Sequence, residues 1–179
     1  LGIGFRAGLT AQGFGGTAIG NQAAETSQGL HGTAIGNSAG NASQGDNSTA
    51  IGRKAAEQNQ GTESVAIGHE SGIGLVAGYD RIGNYSVAIG DNAGNVFMGN
   101  NSVAIGADAG TTNQHDNTVV ISGLFPTALQ TNGTNRTFIG PIRNSAGLTT
   151  LKYNDTTKEI THELVAGGSG GSEVKAGTV

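Results

Sequence analysis

One short phrase returns along this chain at a fixed interval, and no other feature restricts the possible folds as much. It reads "TAIGNQAA" from Thr17, "TAIGNSAG" from Thr33, "TAIGRKAA" from Thr49, "VAIGHESG" from Val65, "VAIGDNAG" from Val87 and "VAIGADAG" from Val103. Aligned on its isoleucine, the phrase falls at Ile3, Ile19, Ile35, Ile51 and Ile67, always in steps of 16. The next step, to Ile89, is 22, and those to Ile105 and Ile121 are 16 again. A strict period of this length is the mark of a repeat architecture, in which each unit buries its surface only against its neighbours.

Other positions keep phase with the isoleucine. Gly4, Gly20, Gly36, Gly52, Gly68, Gly90 and Gly106 stand one residue later, and Ser122 takes that place in the last unit. A small residue stands four later, at Ala7, Ala23, Ala39, Ala55, Ser71, Ala93 and Ala109. Gly13, Gly29, Gly45, Gly61 and Gly99 stand ten later. Two before the isoleucine the residue is β-branched: Thr17, Thr33, Thr49, Val65, Val87, Val103 and Val119.

Residues two apart on a strand share a face, so Thr or Val and the isoleucine form one face and the intervening alanine the other. The alanine face admits only close packing, and the phased glycines allow positive φ or tight backbone approach at corners. These features predict an all-β fold, a parallel β-solenoid of about eight 16-residue coils over residues 1–123. At about 4.8 Å per coil the stack is roughly 35–40 Å long. Two apolar faces on one strand place one inside the coil and the other against a partner chain. The shared core is assigned to Ile19, Ile35, Ile51, Ile67, Ile89, Ile105 and Ile121 with Val65, Val87 and Val103. So thin a core calls for oligomerisation, and a threefold bundle suits a fibre.

Composition excludes the main alternatives. Of 179 residues 33 are Gly, only 4% are aromatic and 12% are charged, against 35% hydrophobic. That leaves too little bulk for an ordinary globular core and too regular a hydrophobic pattern for a disordered tail. Glycine density and β-branching exclude helical repeats, and two prolines exclude collagen. Net charge is −4 with scattered Lys and Arg, so no basic stripe invites nucleic acid. No apolar run approaches the roughly 20 residues that span a bilayer. Cysteine is absent, so there is no disulfide framework. A start at Leu1 without Met or a signal peptide reads as a fragment or processed product.

Beyond the repeats, 124–135 with Pro126 reads as a cap or neck, and 136–166 as a small region of short strands. There "TFIGPIR" precedes a turn, and "LTTLKY" meets "KEITHE" across Asn154-Asp155-Thr156-Thr157. Residues 167–179, with "GGSGGS", read as a flexible linker tail.

The phrase resembles the head repeat of YadA-type trimeric autotransporter adhesins and similar repeats in viral and phage fibres. Residues 1–123 carry the resemblance, with Thr at Thr17, Thr33 and Thr49 where Val is usual and a period somewhat longer than the family's. It implies a left-handed parallel β-roll, three chains wound side by side, and a surface that binds host or matrix ligands. Residues 135–163 are similar to segments that follow such repeats in large-virus and phage fibres, often ahead of a self-cleaving chaperone domain. The implied protein is an extracellular homotrimeric fibre segment that attaches to a host receptor or glycan. A virion is favoured over a bacterial cell surface, with the bacterial adhesin head as the alternative.

Motifs of chemistry dissolve into the repeat. Gly36-Asn-Ser38-Ala-Gly40 has the nucleophile-elbow spacing, but it is made of two repeat glycines. Gly72-Ile-Gly74-Leu-Val-Ala-Gly78 lacks both the spacing and the βαβ setting of a dinucleotide loop. His31, His69 and His115 fall at different phases and His162 lies in the hairpin, so no metal set forms and no cofactor is expected. An ion on a threefold axis would still need only one ligand per chain. Glu25, Glu63, Glu70, Asp91 and Asp108 scatter over phases, against a solenoid polysaccharide lyase or hydrolase, and the chain is read as no enzyme. The threonine rank gives way to valine after Thr49, against ice binding. Sequons at Asn41, Asn47, Asn84, Asn100, Asn132, Asn135 and Asn154 follow from turn vocabulary. The six extra residues between Ile67 and Ile89 break the array and bring Tyr79, Asp80, Arg81 and Tyr85, which are assigned to ligand binding. The competing reading is a widened coil packed on a neighbouring subunit.

Overall fold

The computed structural model describes residues 1–72, 82–123, 131–140, 149–154, 156–157 and 160–164. The chain divides into two compact units, residues 1–142 and 143–179. The first is a parallel β-solenoid. Its opening coils run β1 (Gly2–Ile3), β2 (Thr10–Gln12), β3 (Thr17–Ile19), β4 (Thr26–Gln28), β5 (Thr33–Ile35), β6 (Ala42–Gln44), β7 (Thr49–Ile51), β8 (Gln58–Gln60) and β9 (Val65–Ile67). Past the insertion follow β10 (Val87–Ile89), β11 (Val96–Met98), β12 (Val103–Ile105), β13 (Thr112–Gln114), β14 (Val119–Ser122) and β15 (Thr137–Gly140). In the second unit β16 (Thr149–Tyr153) pairs antiparallel with β17 (Ile160–Leu164), Tyr153 opposite Ile160.

The repeat phrase forms one sheet of nine parallel strands, β1-β3-β5-β7-β9-β10-β12-β14-β15. Register is set by the period: Val87 lies beside Val65 and Val103, and Ile89 beside Ile67 and Ile105. The opposite side of each coil forms shorter sheets, β2-β4-β6-β8 and β11-β13. Among the described residues Ile82 bridges Gln60 to Met98 between them. Across the insertion the nine-stranded sheet stays continuous.

The inside of the coil is narrow. Ala18, Ala34, Ala50, Ala66, Ala88 and Ala104 are completely buried there, together with Val120. Ala23, Ala39, Ala55, Ala93 and Ala109 of the corners meet them from the other side. The isoleucine and valine positions assigned to a shared core stand on the outer side of the nine-stranded sheet. Val65, Val87 and Val103 are partly covered, while Ile35 and Ile121 remain 36% and 39% exposed. In most coils alanine fills this narrow interior and the larger member of each alternating pair points away from it, with Val120 taking the alanine place in β14.

The corners explain the glycine phase. Gly36 has φ +134°, and a Cβ there would lie 2.7 Å from the carbonyl carbon of Gly52 on the next coil. At Gly29 the φ is ordinary, but a Cβ would lie 2.5 Å from the nitrogen of Asp46. The spacing of stacked coils thus enforces glycine at both corners. Non-glycine residues hold the left-handed conformation at further corner positions, among them Asn47, Asn101 and Asn117, whose amides suit it.

A buried polar ladder, which the alternation does not reveal, closes each coil. Gln28 donates from Nε2 to the carbonyls of Thr17 (2.9 Å) and Gly32 (3.0 Å). Gln44, Gln60 and Gln114 repeat this toward Thr33, Thr49 and Val103 at 2.8, 2.8 and 2.9 Å. These glutamines stand nine after the repeat isoleucine, where Ile82 and Met98 take over in the coils bordering the insertion. A second ladder runs outside. Asp46, Asn84, Asn100 and Asp116 each accept at Oδ1 the backbone N–H of the previous coil, from Leu30, Thr62, Asn84 and Asn100 at 2.7–3.0 Å.

Thr137–Gly140, grouped above with the hairpin region, instead extends the nine-stranded sheet, with Ile139 beside Ile121. "TFIG" is the repeat phrase again, slightly late: a regular step from Ile121 would place its isoleucine where Thr137 stands. The corner glycines give way to His115, whose Nδ1 lies 2.7 Å from Oγ1 of Thr131, the residue 16 later.

Candidate functional site

The outer side of the nine-stranded sheet is the largest regular surface. Two ranks run its length, one of Thr17, Thr33, Thr49, Val65, Val87, Val103 and Val119, the other of the repeat isoleucines. Neither rank contains a charged side chain. With glycine on its flank, the surface offers water few side-chain hydrogen-bond partners. It can bury apolar area against a flat partner of the same regularity.

Charges gather instead on the corner that follows the isoleucine. Arg6 pairs with Glu25 at 2.9 Å, and Glu25 also accepts from Gln22 at 2.9 Å and Asn41 at 3.2 Å. Lys54 reaches Glu57 at 3.5 Å. Across three successive coils His69 bridges Arg53, through Nε2, to Asp91, through Nδ1 at 2.8 Å. Glu70 lies 3.4 Å from the same imidazole. These exposed ladders tie coil to coil and hold their charges paired, with little energy each.

The other sequence-flagged residues do not converge. Ser38 has φ 55° and only the Asn37 side chain, 3.5 Å away, beside its hydroxyl. Among the described residues no base is hydrogen-bonded to that hydroxyl. His31 meets Phe14 edge to face at 5.9 Å, His69 joins the charge ladder, and His115 caps the corner. Among the described residues no group of three or more His, Asp or Glu could hold a metal ion. No helix among them is long and apolar enough to cross a membrane. The sequon asparagines Asn84 and Asn100 spend their side-chain oxygens on the neighbouring coil.

Of the four residues assigned to ligand binding, Tyr79, Asp80 and Arg81 lie outside the described residues, as does most of the Gly72–Gly78 stretch. Tyr85 is described. It is 58% exposed with φ 57°, and its N–H donates to Thr62 O at 3.0 Å. An exposed aromatic missed in the sequence is Phe97, 39% exposed with φ 55° on β11. Its signal was available: the residue eight after the isoleucine is small or Asn in Ala11, Ser27, Ser43, Asn59 and Asn113. Gly83 was missed as well. It follows Gly61 by the same long step that separates Ile89 from Ile67, so the corner phase is already restored there and the insertion lies before Ile82.

Comparison with protein families adds a finding in agreement with this geometry. Residues 27–55, 82–93 and 99–115 match the YadA head domain repeat, in two copies. The matched segments contain β5, β7 and β12 with the corners that follow them, so these coils of the solenoid are similar to YadA head repeats. Comparison with curated proteins and with solved structures gave no match.

Proposed function

We propose that this chain is a segment of a homotrimeric surface fibre of the adhesin type, acting outside the cell in attachment to a host receptor or glycan. The observation that carries this reading is the uncharged Thr/Val and Ile face, unbroken across nine parallel strands, several of them within segments that match the YadA head repeat. Three copies packed on that face would turn exposed isoleucines into a shared core, and the coil interior alone offers mostly alanine to stabilise the fold. On this reading the repeats supply length and rigidity, with no catalytic role. The ligand would be met near the insertion, through Tyr79, Asp80, Arg81 and Tyr85, where the scaffold departs from its period.

A virion fibre is the preferred setting because residues 135–163 resemble segments that follow such repeats in viral and phage fibres. The head of a bacterial trimeric autotransporter is the second reading, favoured by the family that the repeats match. Sedimentation equilibrium of the purified chain tests the core of the proposal. A mass of three chains is expected at micromolar concentration, and a monomer would overturn it. Binding of labelled chain to cell surfaces, with Tyr79→Ala and Arg81→Ala variants beside it, tests the insertion; unchanged binding removes it as the site.

A further inference from the structure

The Thr/Val rank of the outer face changes character partway along the solenoid. Thr17, Thr33 and Thr49 stand beside one another on β3, β5 and β7, and Thr49 stands beside Val65 on β9. Val87, Val103 and Val119 continue the rank. Threonine and valine have nearly the same shape and both suit a strand. The fold of a single coil therefore gives little reason to divide the rank into a hydroxyl half and a methyl half. The isoleucine rank beside it makes no such change from Ile19 to Ile121.

The three hydroxyls are also uncommitted. Elsewhere in the solenoid threonine hydroxyls are spent on the chain's own carbonyls: Thr26 donates to Asn41 O at 3.2 Å, Thr111 to Asp108 O at 2.6 Å and Thr118 to His115 O at 2.7 Å. Among the described residues no hydrogen bond engages the hydroxyl of Thr17, Thr33 or Thr49. Equivalent side chains on neighbouring parallel strands lie about 4.8 Å apart, beyond the roughly 2.8 Å of a hydroxyl pair. Each of the three is half-buried, and its free side is outward.

We propose that Thr17, Thr33 and Thr49 are a self-recognition element, whose hydroxyls pair with those of neighbouring copies when the chains assemble. The inference rests on the trimeric reading and names the partner that the face selects: a chain with hydroxyls at the same heights. A hydroxyl both donates and accepts, so a rank of them is complementary to itself. A threefold axis along the stack brings the same residue of every chain to one height. Opposite valine, a hydroxyl removed from water has no partner and costs the full desolvation of the group. Pairing offsets only part of that cost, so a threonine layer holds less tightly than a valine layer. What it adds is discrimination, as a lone polar residue does in an apolar helical seam. The corner charges do not compete for this role, because Arg6 with Glu25, and Arg53 and Asp91 through His69, pair within one chain.

The test co-produces the full wild-type chain with a mass-tagged chain and reads the composition of the assembled trimers by native mass spectrometry. Tagged wild type should mix with untagged at random. Tagged Thr33→Val should form mixed trimers at least ~fivefold below random, since one layer then sets hydroxyl against methyl. The substitution suits the coil, because Val65 and Val87 hold the same rank. Thr33→Ser keeps the hydroxyl and should mix within about twofold of random. Random mixing of Thr33→Val overturns the inference, and so does equal exclusion of Thr33→Ser, which would make side-chain shape the selector. Trimers of random composition sink self-recognition and leave the trimeric reading standing, whereas single chains throughout count against that reading itself.

Discussion

Gly32→Ser should stabilise the solenoid, and the repeats supply the internal control. The position lies three before the repeat isoleucine, where later coils carry Ser48, Ser64, Ser86 and Ser102 and then Thr118. Ser48 donates from Oγ to Gly45 O at 2.5 Å, and Ser64 to Gly61 O at 2.7 Å. Gly32 has no such hydroxyl, although its backbone φ lies outside the left-handed region. A Cβ there would be 3.1 Å from Gln28 Cγ and Gln44 Oε1 and 3.2 Å from Gly29 O. These contacts are tight but mostly with flexible side chains, and Ser48 fits beside the same glutamine ladder.

Removing a glycine from the unfolded chain contributes about 0.4–1 kcal/mol, and a buried hydrogen bond to Gly29 O about 0.5–1.5 kcal/mol. Relaxation of the two glutamines costs some of this, which leaves about 1 kcal/mol. For a chain of this length that raises the melting midpoint by about 2–4 °C. Calorimetry at one fixed protein concentration measures it, since self-association would make the midpoint concentration-dependent. A lowered midpoint would refute the assumption that the coils are interchangeable in local energetics.

The opposite outcome is expected for Gly52→Ala. Its φ is +128° and the new Cβ would lie 2.8 Å from the carbonyl carbon of Gly68, so about 4 kcal/mol is lost and the chemical-denaturation midpoint drops sharply. Gln44→Ala strips partners from the carbonyls of Thr33 and Ser48 and leaves a void among alanines, costing about 2–4 kcal/mol by urea titration. Val87→Thr with Val103→Thr should leave the single-chain fold intact, because Thr33 and Thr49 occupy the same rank. It should weaken self-association by about 1 kcal/mol or more per buried hydroxyl in sedimentation equilibrium, and an unchanged mass profile would reject the shared face. Arg6→Ala removes a pair whose arginine is 48% exposed, and a change above about 1 kcal/mol at moderate salt would contradict its surface character.

What the residues disclosed beforehand follows from which interactions repeat. The phase of Thr/Val, Ile and Gly predicts the parallel register of β3 through β14, because stacking identical coils aligns identical positions. Alternation alone leaves open which face is inside. The answer depends on coil width, and in the single chain the alanines take the interior. The glutamines at Gln28, Gln44 and Gln60 repeat in step with the isoleucines, yet a polar residue reads as exposed until its bonds to backbone carbonyls are seen. "TFIG" at Thr137 hid behind a changed interval. The proposed recognition region was legible only as a broken period between Ile67 and Ile89.

The position of that break bears on assembly and on recognition alike. The extra residues could have been inserted at either side of the coil with equal effect on length. By phase they fall between Gly72 and Ile82, away from the repeat phrase, while Ile67 and Ile89 remain directly paired. An isolated solenoid has no reason to protect one side from irregularity. A solenoid packed against copies of itself does, because an insertion in the shared face would put all later coils out of contact. Where the opposite side faces solvent, the same insertion leaves the shared face in register, with Ile82 and Met98 buried in the adjoining coils. The continuous side is thus the one with a reason to stay flat, and on the proposed reading the side with the insertion is where a ligand can be met without disturbing assembly. The two readings make opposite demands on variants: Val103→Thr should change mass and spare binding per assembled fibre, and Tyr85→Asn should change binding and spare mass. Coupled loss of both properties in either variant would show that assembly and recognition share one surface.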